Sequence, residues 1–214
     1  MTDRRRSHRA AALWVVAGLT VGGAIVGAVW AAIAPPIHTI TALTKAGDRV
    51  DGFLGKEADN LFVSAAMMIG LLTMLAVISA VLVWQWRAHR GPVMAAALWI
   101  GQIVAGAMAT GSGAVLAHWR YGTADHQRVV LFPENRVHYF TEAPPVFLGH
   151  SAFQIALTLI MPSALAALVY ALMTVATPRD DLGGWPPQDP GDRSAAGGAL
   201  LGERPGVQPV HLGE

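Results

Sequence analysis

The sequence predicts an all-α membrane protein: a four-transmembrane-helix bundle with a small extracytoplasmic β-hairpin cap and a disordered C-terminal tail. Of its 214 residues, 53% are hydrophobic and 14% are charged, whereas a typical soluble domain has roughly 25% charged residues. Four long stretches contain no Asp, Glu, Lys, Arg or His. They cover residues 10–34, 61–84, 92–117 and 151–176.

Each of these stretches is long enough to cross a bilayer as a helix, which needs about 20 apolar residues. A helix also satisfies its own backbone hydrogen bonds in hydrocarbon. The first stretch follows a basic N-terminus, as in a signal peptide, but it exceeds the ~7–15 apolar residues of a signal core. We therefore expect it to be a retained span, within a membrane domain over residues 10–176.

Basic residues are distributed unequally about the four stretches. Residues 1–9 form a basic N-terminus, and the short connection 85–91 contains Arg87 and Arg90 without any acid. The longer loops, 35–60 and 118–150, contain several acidic residues. Because Lys and Arg favour the cytosolic side, we predict a multi-pass plasma (inner) membrane protein with both termini cytosolic and the longer loops outside.

Tryptophans fall near the predicted membrane boundaries. Trp14, Trp84 and Trp86 lie at the predicted inner boundary, and Trp30 and Trp119 lie at the outer one. Tryptophan is enriched where a bilayer meets water. We therefore expect these five side chains to be interfacial.

The two outer loops contain strand-like runs. Residues 38–43 and 49–54 flank a turn at 45–48, and residues 128–132 and 136–140 flank a turn at 133–135. Such patterns are typical of β-hairpins. Because isolated hairpins are marginal in water, we expect the two hairpins to pair into a small sheet that caps the bundle.

The composition changes after the fourth stretch. Residues 177–214 are rich in proline and glycine and contain few large apolar residues. A segment of this kind buries too little apolar surface to offset the entropy lost on folding. We therefore predict a disordered cytosolic tail.

Small residues recur at four-residue spacing in the first and third stretches. This spacing forms a flat strip that allows another helix to approach closely. We expect internal packing of the first span against the third, with a homodimer seam as the alternative. The residues concerned are Gly18, Gly22, Gly23, Gly27, Gly101, Ala105 and Gly113.

Two amides are predicted to lie in the membrane, Gln102 in the third span and Gln154 near the outer end of the fourth. An amide in hydrocarbon needs a polar partner, so we expect each to face another helix. Together with Pro162 they would also suit a transport path. The spans contain no ionisable residue, which argues against a proton-coupled transporter acting alone.

Five residues of the outer loops are candidate ligands for zinc or copper. They are His118, His126, His138, His150 and Glu142. Their spacing fits no known ligand motif, and histidine is common in loops. The sequence therefore predicts no metal, no cofactor and no catalytic residue. The net charge of +1 also gives no global field to attract nucleic acid.

Three segments show a resemblance to a known family. They are residues 34–36 (APP), 83–92 (VWQWRAHRGP) and 136–147 (RVHYFTEAPPVF). With these segments the chain resembles an uncharacterised family of membrane proteins from mycobacteria and related actinobacteria, a domain of unknown function. The resemblance covers about residues 11–176. It implies an inner-membrane location in a high-GC actinobacterium and no particular activity.

Three functions follow as hypotheses. The first is a non-enzymatic component of the cell envelope or of a membrane complex, which presents its outer cap to a partner. The second is a small transporter or channel subunit, and the third is a membrane enzyme with a histidine-based metal site on its outer face. The expected partners are the lipid bilayer and an envelope protein or a second copy of the chain.

Overall fold

The computed structural model describes residues 2–122 and 136–177, with side chains from residue 8 onward. The described ranges form four long helices, a short 3-10 helix and three strands. In chain order these are α1 (Thr2–Ile33), β1 (Ile37–Leu43), β2 (Arg49–Phe53), α2 (Ala58–Gln85), the 3-10 helix (Arg87–His89), α3 (Pro92–Tyr121), β3 (Val137–Glu142) and α4 (Ala152–Val175). Apart from Thr177, the predicted tail lies outside the described residues.

The four helices confirm the predicted fold class, because each is long and apolar enough to cross a membrane. Helix α1 begins at Thr2, so the basic N-terminus continues the first span as helix instead of preceding it. Arginine is a good helix former, and an adjoining apolar helix supplies the nucleus that an isolated basic segment lacks.

Local sequence signals set several helix ends. Pro92 occupies the first turn of α3, where its missing N–H costs nothing. Gly122 ends α3 with φ of 75°, a left-handed conformation that glycine adopts without penalty. Ser151 begins α4 with a capping box. The Ser151 hydroxyl accepts from the Gln154 backbone N–H, and the Gln154 side chain accepts from the Ser151 backbone N–H.

The closest helix packing joins α1 to α3, while α4 packs against both α2 and α3. Two glycines of α1 allow this approach. A Cβ atom on Gly23 would lie 2.7 Å from the Cα atom of Ala105, and one on Gly27 would lie 2.9 Å from the backbone nitrogen of Gly113. Only a residue without a side chain fits at either place.

The other small residues of the predicted strip have different surroundings. A Cβ on Gly101 would lie 2.6 Å from Cδ1 of Leu19, whereas one on Gly22 would meet only the flexible end of Leu75 at 3.2 Å. A Cβ on Gly113 would lie 3.0 Å from the ring of Trp30, and Gly18 faces open space. The backbones of α1 and α3 therefore approach most closely from Gly23 to Gly27, and nearer the N-terminus of α1 the contact continues through the Leu19 side chain.

The three strands form one antiparallel sheet in the order β2–β1–β3. The first predicted hairpin is confirmed: β1 pairs with β2, with Thr41 opposite Asp51. The strand predicted at 136–140 also exists, as β3, but it pairs with β1, with Thr41 opposite His138. Its predicted partner, residues 128–132, and the turn at 133–135 lie outside the described residues.

Trp30 differs from the sequence-based expectation. Its side chain is fully buried between α1, α2 and α3 instead of lying at the membrane boundary, and it packs with Met68 and Ala109. The indole N–H donates a hydrogen bond to the carbonyl oxygen of Ser64 at 2.8 Å. By contrast, the Trp119 side chain is 86% exposed.

Candidate functional site

The sheet is attached to the helix bundle through the Glu57 carboxylate, directly before α2. One oxygen of this carboxylate lies 3.2 Å from Nδ1 of His38. The other accepts hydrogen bonds from the Asn60 side chain at 2.9 Å and from the His38 backbone N–H at 3.3 Å. The Asn60 amide also reaches the carbonyl oxygen of Pro36 at 3.3 Å. These bonds join the start of β1 to the start of α2.

The same bonds lower the pKa of Glu57 below its ordinary value of 4.5, mainly through the hydrogen bond with the His38 side chain. A carboxyl whose folded-state pKa is depressed stabilises the folded state above its unfolded pKa, and this contribution is lost as the pH falls through the folded value. We therefore expect amide hydrogen exchange in β1 to be faster in Glu57→Gln than in the wild type at neutral pH. The difference should shrink well below pH 4.5, where the wild-type carboxyl becomes protonated.

Asp59→Asn is the control, because Asp59 is an exposed acid of the same turn. It should leave exchange in β1 unchanged at both pH values. Equal exchange in Glu57→Gln and the wild type at neutral pH would contradict the role given to Glu57.

One face of the sheet is turned toward the rest of the protein. Ile37, Thr39 and Thr41 alternate along β1 and are buried. The Thr39 hydroxyl donates to the Glu142 carboxylate on β3, and the Thr41 hydroxyl donates to Asp51 on β2 at 2.6 Å. Each outer strand is thus joined to β1 by a side-chain hydrogen bond in addition to the backbone ladder.

The opposite face of the sheet is apolar and exposed. Because paired residues of an antiparallel sheet lie on the same face, Val50 and Val137 flank Ala42, and Tyr139 lies beside Ile40. Val50 is 51% exposed, Tyr139 is 65% exposed and Val137 is 38% exposed. We call these five residues the outward face.

The candidate metal ligands that the structure describes do not converge. Among the described residues, no three His, Asp or Glu side chains are grouped closely enough to hold a metal ion. His118 is bonded through Nδ1 to the carbonyl oxygen of Ala114 at 2.8 Å. His138 packs against the ring of Phe140 at 4.7 Å between centroids. Glu142 accepts from Thr39, as described above, His150 is exposed, and His126 lies outside the described residues.

The two predicted intramembrane amides have different roles. Gln102 is fully buried, and its Nε2 donates to the Ser79 hydroxyl on α2 at 2.6 Å. Its Oε1 has no partner among the described residues. Gln154 differs from the expectation that it faces another helix, because its side chain bonds to Ser151 of its own helix end. Pro162 is fully buried within α4.

A further cluster lies at the other end of the bundle, and sequence spacing did not reveal it. The Arg90 guanidinium lies 4.2 Å from the centre of the Trp84 ring, and its Nε donates to the Trp84 carbonyl oxygen at 2.8 Å. Trp84 packs edge-on against Tyr170, whose hydroxyl accepts from the Gly91 N–H at 3.2 Å. This cluster joins α4 to the connection between α2 and α3. Partial burial lowers the pKa of Arg90, which stays far above neutrality as for any arginine.

Comparison with known proteins agrees with the resemblance found in the sequence. Residues 19–184 match the family described as Protein of unknown function (DUF2567). No solved structure matches the chain.

The relatives are mycobacterial. The chain is 50% identical to the uncharacterised protein Rv1591 of Mycobacterium tuberculosis (strain ATCC 25618 / H37Rv) over 174 residues, which is 81% of this chain and 90% of the relative. It is 46% identical to the uncharacterised protein ML1222 of Mycobacterium leprae (strain TN) over 170 residues, or 79% and 86% of the two chains. The chain therefore belongs to the DUF2567 family and is homologous to these mycobacterial proteins.

Proposed function

We propose that this protein is a non-enzymatic component of the cell envelope that presents the outward face of its sheet to a protein partner. One observation supports the proposal above all: Val50, Val137 and Tyr139 are exposed together on one face. Adjacent exposed apolar side chains on a folded surface are typical of an interaction site. These valine and tyrosine side chains lie on the two outer strands, on either side of β1, and both residue types have little side-chain entropy to lose on binding.

The attachment of the sheet makes this face a fixed surface. The Glu57 carboxylate holds the start of β1 against α2, and the Thr39–Glu142 bond holds β3 against β1. A surface that is already ordered loses less entropy on association than a flexible loop does. This end of the protein is therefore better suited to binding a partner than to catalysis by loop residues.

The proposal includes the orientation of the chain, with the sheet outside the cytoplasm. Its support is the charge distribution. The opposite end carries Arg9, Arg87 and Arg90, and residues 84–92 include no acid. In the longer loop with β1 and β2, three basic residues are offset by Asp48, Asp51 and Glu57. Basic residues favour the cytosolic side of a membrane.

A photo-crosslinking residue at position 139 provides the test, in cells that express the full chain. We expect one discrete protein adduct, and we expect Val50→Lys to weaken it. A lysine at the centre of an apolar interface costs about 2 kcal/mol or more, so the adduct should fall by roughly thirtyfold.

The orientation has its own test. A cysteine replacing Asp48, in a chain that has no other cysteine, should react with a membrane-impermeant maleimide added outside the cell.

Leu148→Lys is the matched control, because Leu148 is an exposed apolar residue near the same end but not on the sheet. It should leave the adduct unchanged. Adducts with lipid alone, or a protein adduct that survives Val50→Lys, would overturn the proposal. An adduct between two differently tagged copies of the chain would identify the partner as a second copy.

A further inference from the structure

A groove lies between α1 and α2 near the basic end of the bundle. Its volume is about 360 Å³, within the range of known ligand pockets, roughly 300–1,000 Å³. Trp14 and Trp86 line it together with the aliphatic side chains of Leu75, Ile78 and Leu82.

Helix α1 packs more closely against α3 than against α2, and the groove lies on the looser side, between α1 and α2. A Cβ on Gly18, which lines the groove, would have no atom within 4 Å. The Ser79 hydroxyl in its wall is already occupied, since it donates to the Ala76 carbonyl oxygen and accepts from Gln102. The walls therefore present an apolar surface, which suits a hydrocarbon chain and not a polar solute.

Positive charge surrounds the end of the groove where Trp86 lies. Arg87 follows Trp86 directly, and Arg9 lies near the start of α1; both are exposed. The rings of His8 and His89 are 5.1 Å apart, which brings the start of α1 beside the 3-10 helix that contains Arg87. Among the described residues, the guanidinium groups of Arg9 and Arg87 have no ion-pair or hydrogen-bond partner.

From these observations we propose that the groove binds one anionic glycerophospholipid. An acyl chain lies between α1 and α2, and Arg9 and Arg87 bind the phosphate-containing headgroup. The apolar walls of the groove explain why it would hold an acyl chain, and the two exposed guanidinium groups explain why the headgroup would be anionic. Arg90 contributes less, because it is already engaged with Trp84. This inference is independent of the docking role proposed for the sheet.

The test uses the full chain, reconstituted with equal amounts of phosphatidylglycerol and phosphatidylcholine and then analysed by native mass spectrometry. Each basic residue near a membrane surface raises the affinity for anionic lipid by about fivefold. We therefore expect a preference for phosphatidylglycerol of roughly twentyfold, and a decrease of about fivefold in Arg87→Gln. An excess of inorganic phosphate should leave the lipid adduct in place.

Gly18→Leu tests the groove itself. The leucine side chain would fill the space next to α2 that the acyl chain occupies. Because packing inside a bilayer depends on van der Waals contact, bound lipid should fall by roughly threefold or more. Gly111→Leu is the matched control, since Gly111 also has no atom within 4 Å of a Cβ but lies on α3 away from the groove. Lys56→Gln, which removes an exposed cation near the sheet, is the control for charge.

Each outcome decides the proposal. Equal retention of the two lipids by the wild type would overturn it, as would equal lipid binding in Gly18→Leu and Gly111→Leu. Displacement of the lipid by inorganic phosphate would also contradict it, because binding would then depend on the phosphate group and not on an acyl chain in the groove. A loss in Gly18→Leu and a lower preference in Arg87→Gln, with both controls unchanged, would support it.

Discussion

Alanine at both Gly23 and Gly27 should lower the thermal unfolding temperature of the purified protein by roughly 12–24 °C. Overpacking typically costs about 1–3 kcal/mol per site, and for a chain of this size about 1 kcal/mol corresponds to roughly 2–4 °C. The cost should lie at the upper end, because the added Cβ atoms would meet backbone atoms of Ala105 and Gly113. Backbone in the middle of a helix cannot rotate away as a side chain can, so α1 and α3 would have to separate.

A matched pair of substitutions separates this effect from any general response to alanine. Gly18→Ala and Gly111→Ala lie on the same two helices, where a Cβ has no atom within 4 Å. Their double variant should unfold at the wild-type temperature or above it, because alanine favours helix more than glycine does. Equal unfolding temperatures for the two double variants would show that α1 and α3 do not depend on this contact.

Trp30→Ala should destabilise the protein by about 3–5 kcal/mol, the usual cost of truncating a fully buried aromatic side chain. The ring fills the space between Met68 on α2 and Ala109 and Gly113 on α3, and these two helices cannot both move in to close the cavity. Trp30→Phe should cost less, since it retains most of the volume and removes only the indole bond to the Ser64 carbonyl oxygen. Denaturation of the purified protein, followed by circular dichroism, would measure both.

Trp119→Ala is the control for Trp30→Ala. The Trp119 side chain is 86% exposed, so its truncation leaves no cavity in the bundle and should change the free energy of unfolding by less than about 0.5 kcal/mol. A large loss of stability in Trp119→Ala, or a negligible one in Trp30→Ala, would contradict the burial assigned to these two residues.

The spans could be predicted from sequence because the bilayer imposes a length and a composition on each helix separately. Structure formed by residues close together in the sequence could be predicted equally well. The hairpin of β1 and β2 connects neighbouring runs through a turn at Gly47, whose φ of 92° suits glycine. The sequence also predicted that the two outer loops pair into one sheet, but not that β1 is the strand that pairs with β3, because no local pattern indicates which strand of a distant loop lies alongside.

Side-chain direction explains most of the remaining differences between the sequence-based expectations and the structure. Trp30 and Trp119 both lie near helix ends, but only their rotation about the helix axis decides that one points into the bundle and the other away from it. Gln154 appeared to be an intramembrane amide, although its position three residues after Ser151 is also that of a capping box. The His38–Glu57 contact joins a residue of β1 to the residue directly before α2, and no sequence pattern indicates it.

The sheet has a consequence for the order in which the molecule is built. Its central strand and one neighbour precede α2, whereas β3 follows α3, and the Thr39–Glu142 bond joins residues 103 positions apart. During synthesis from the N-terminus, β1 and β2 are made long before β3 exists. The three-stranded face is therefore complete only when the polypeptide has been made through β3, beyond the third helix. A partner that recognises Val50 and Tyr139 together would distinguish finished copies of the protein from partly synthesised ones.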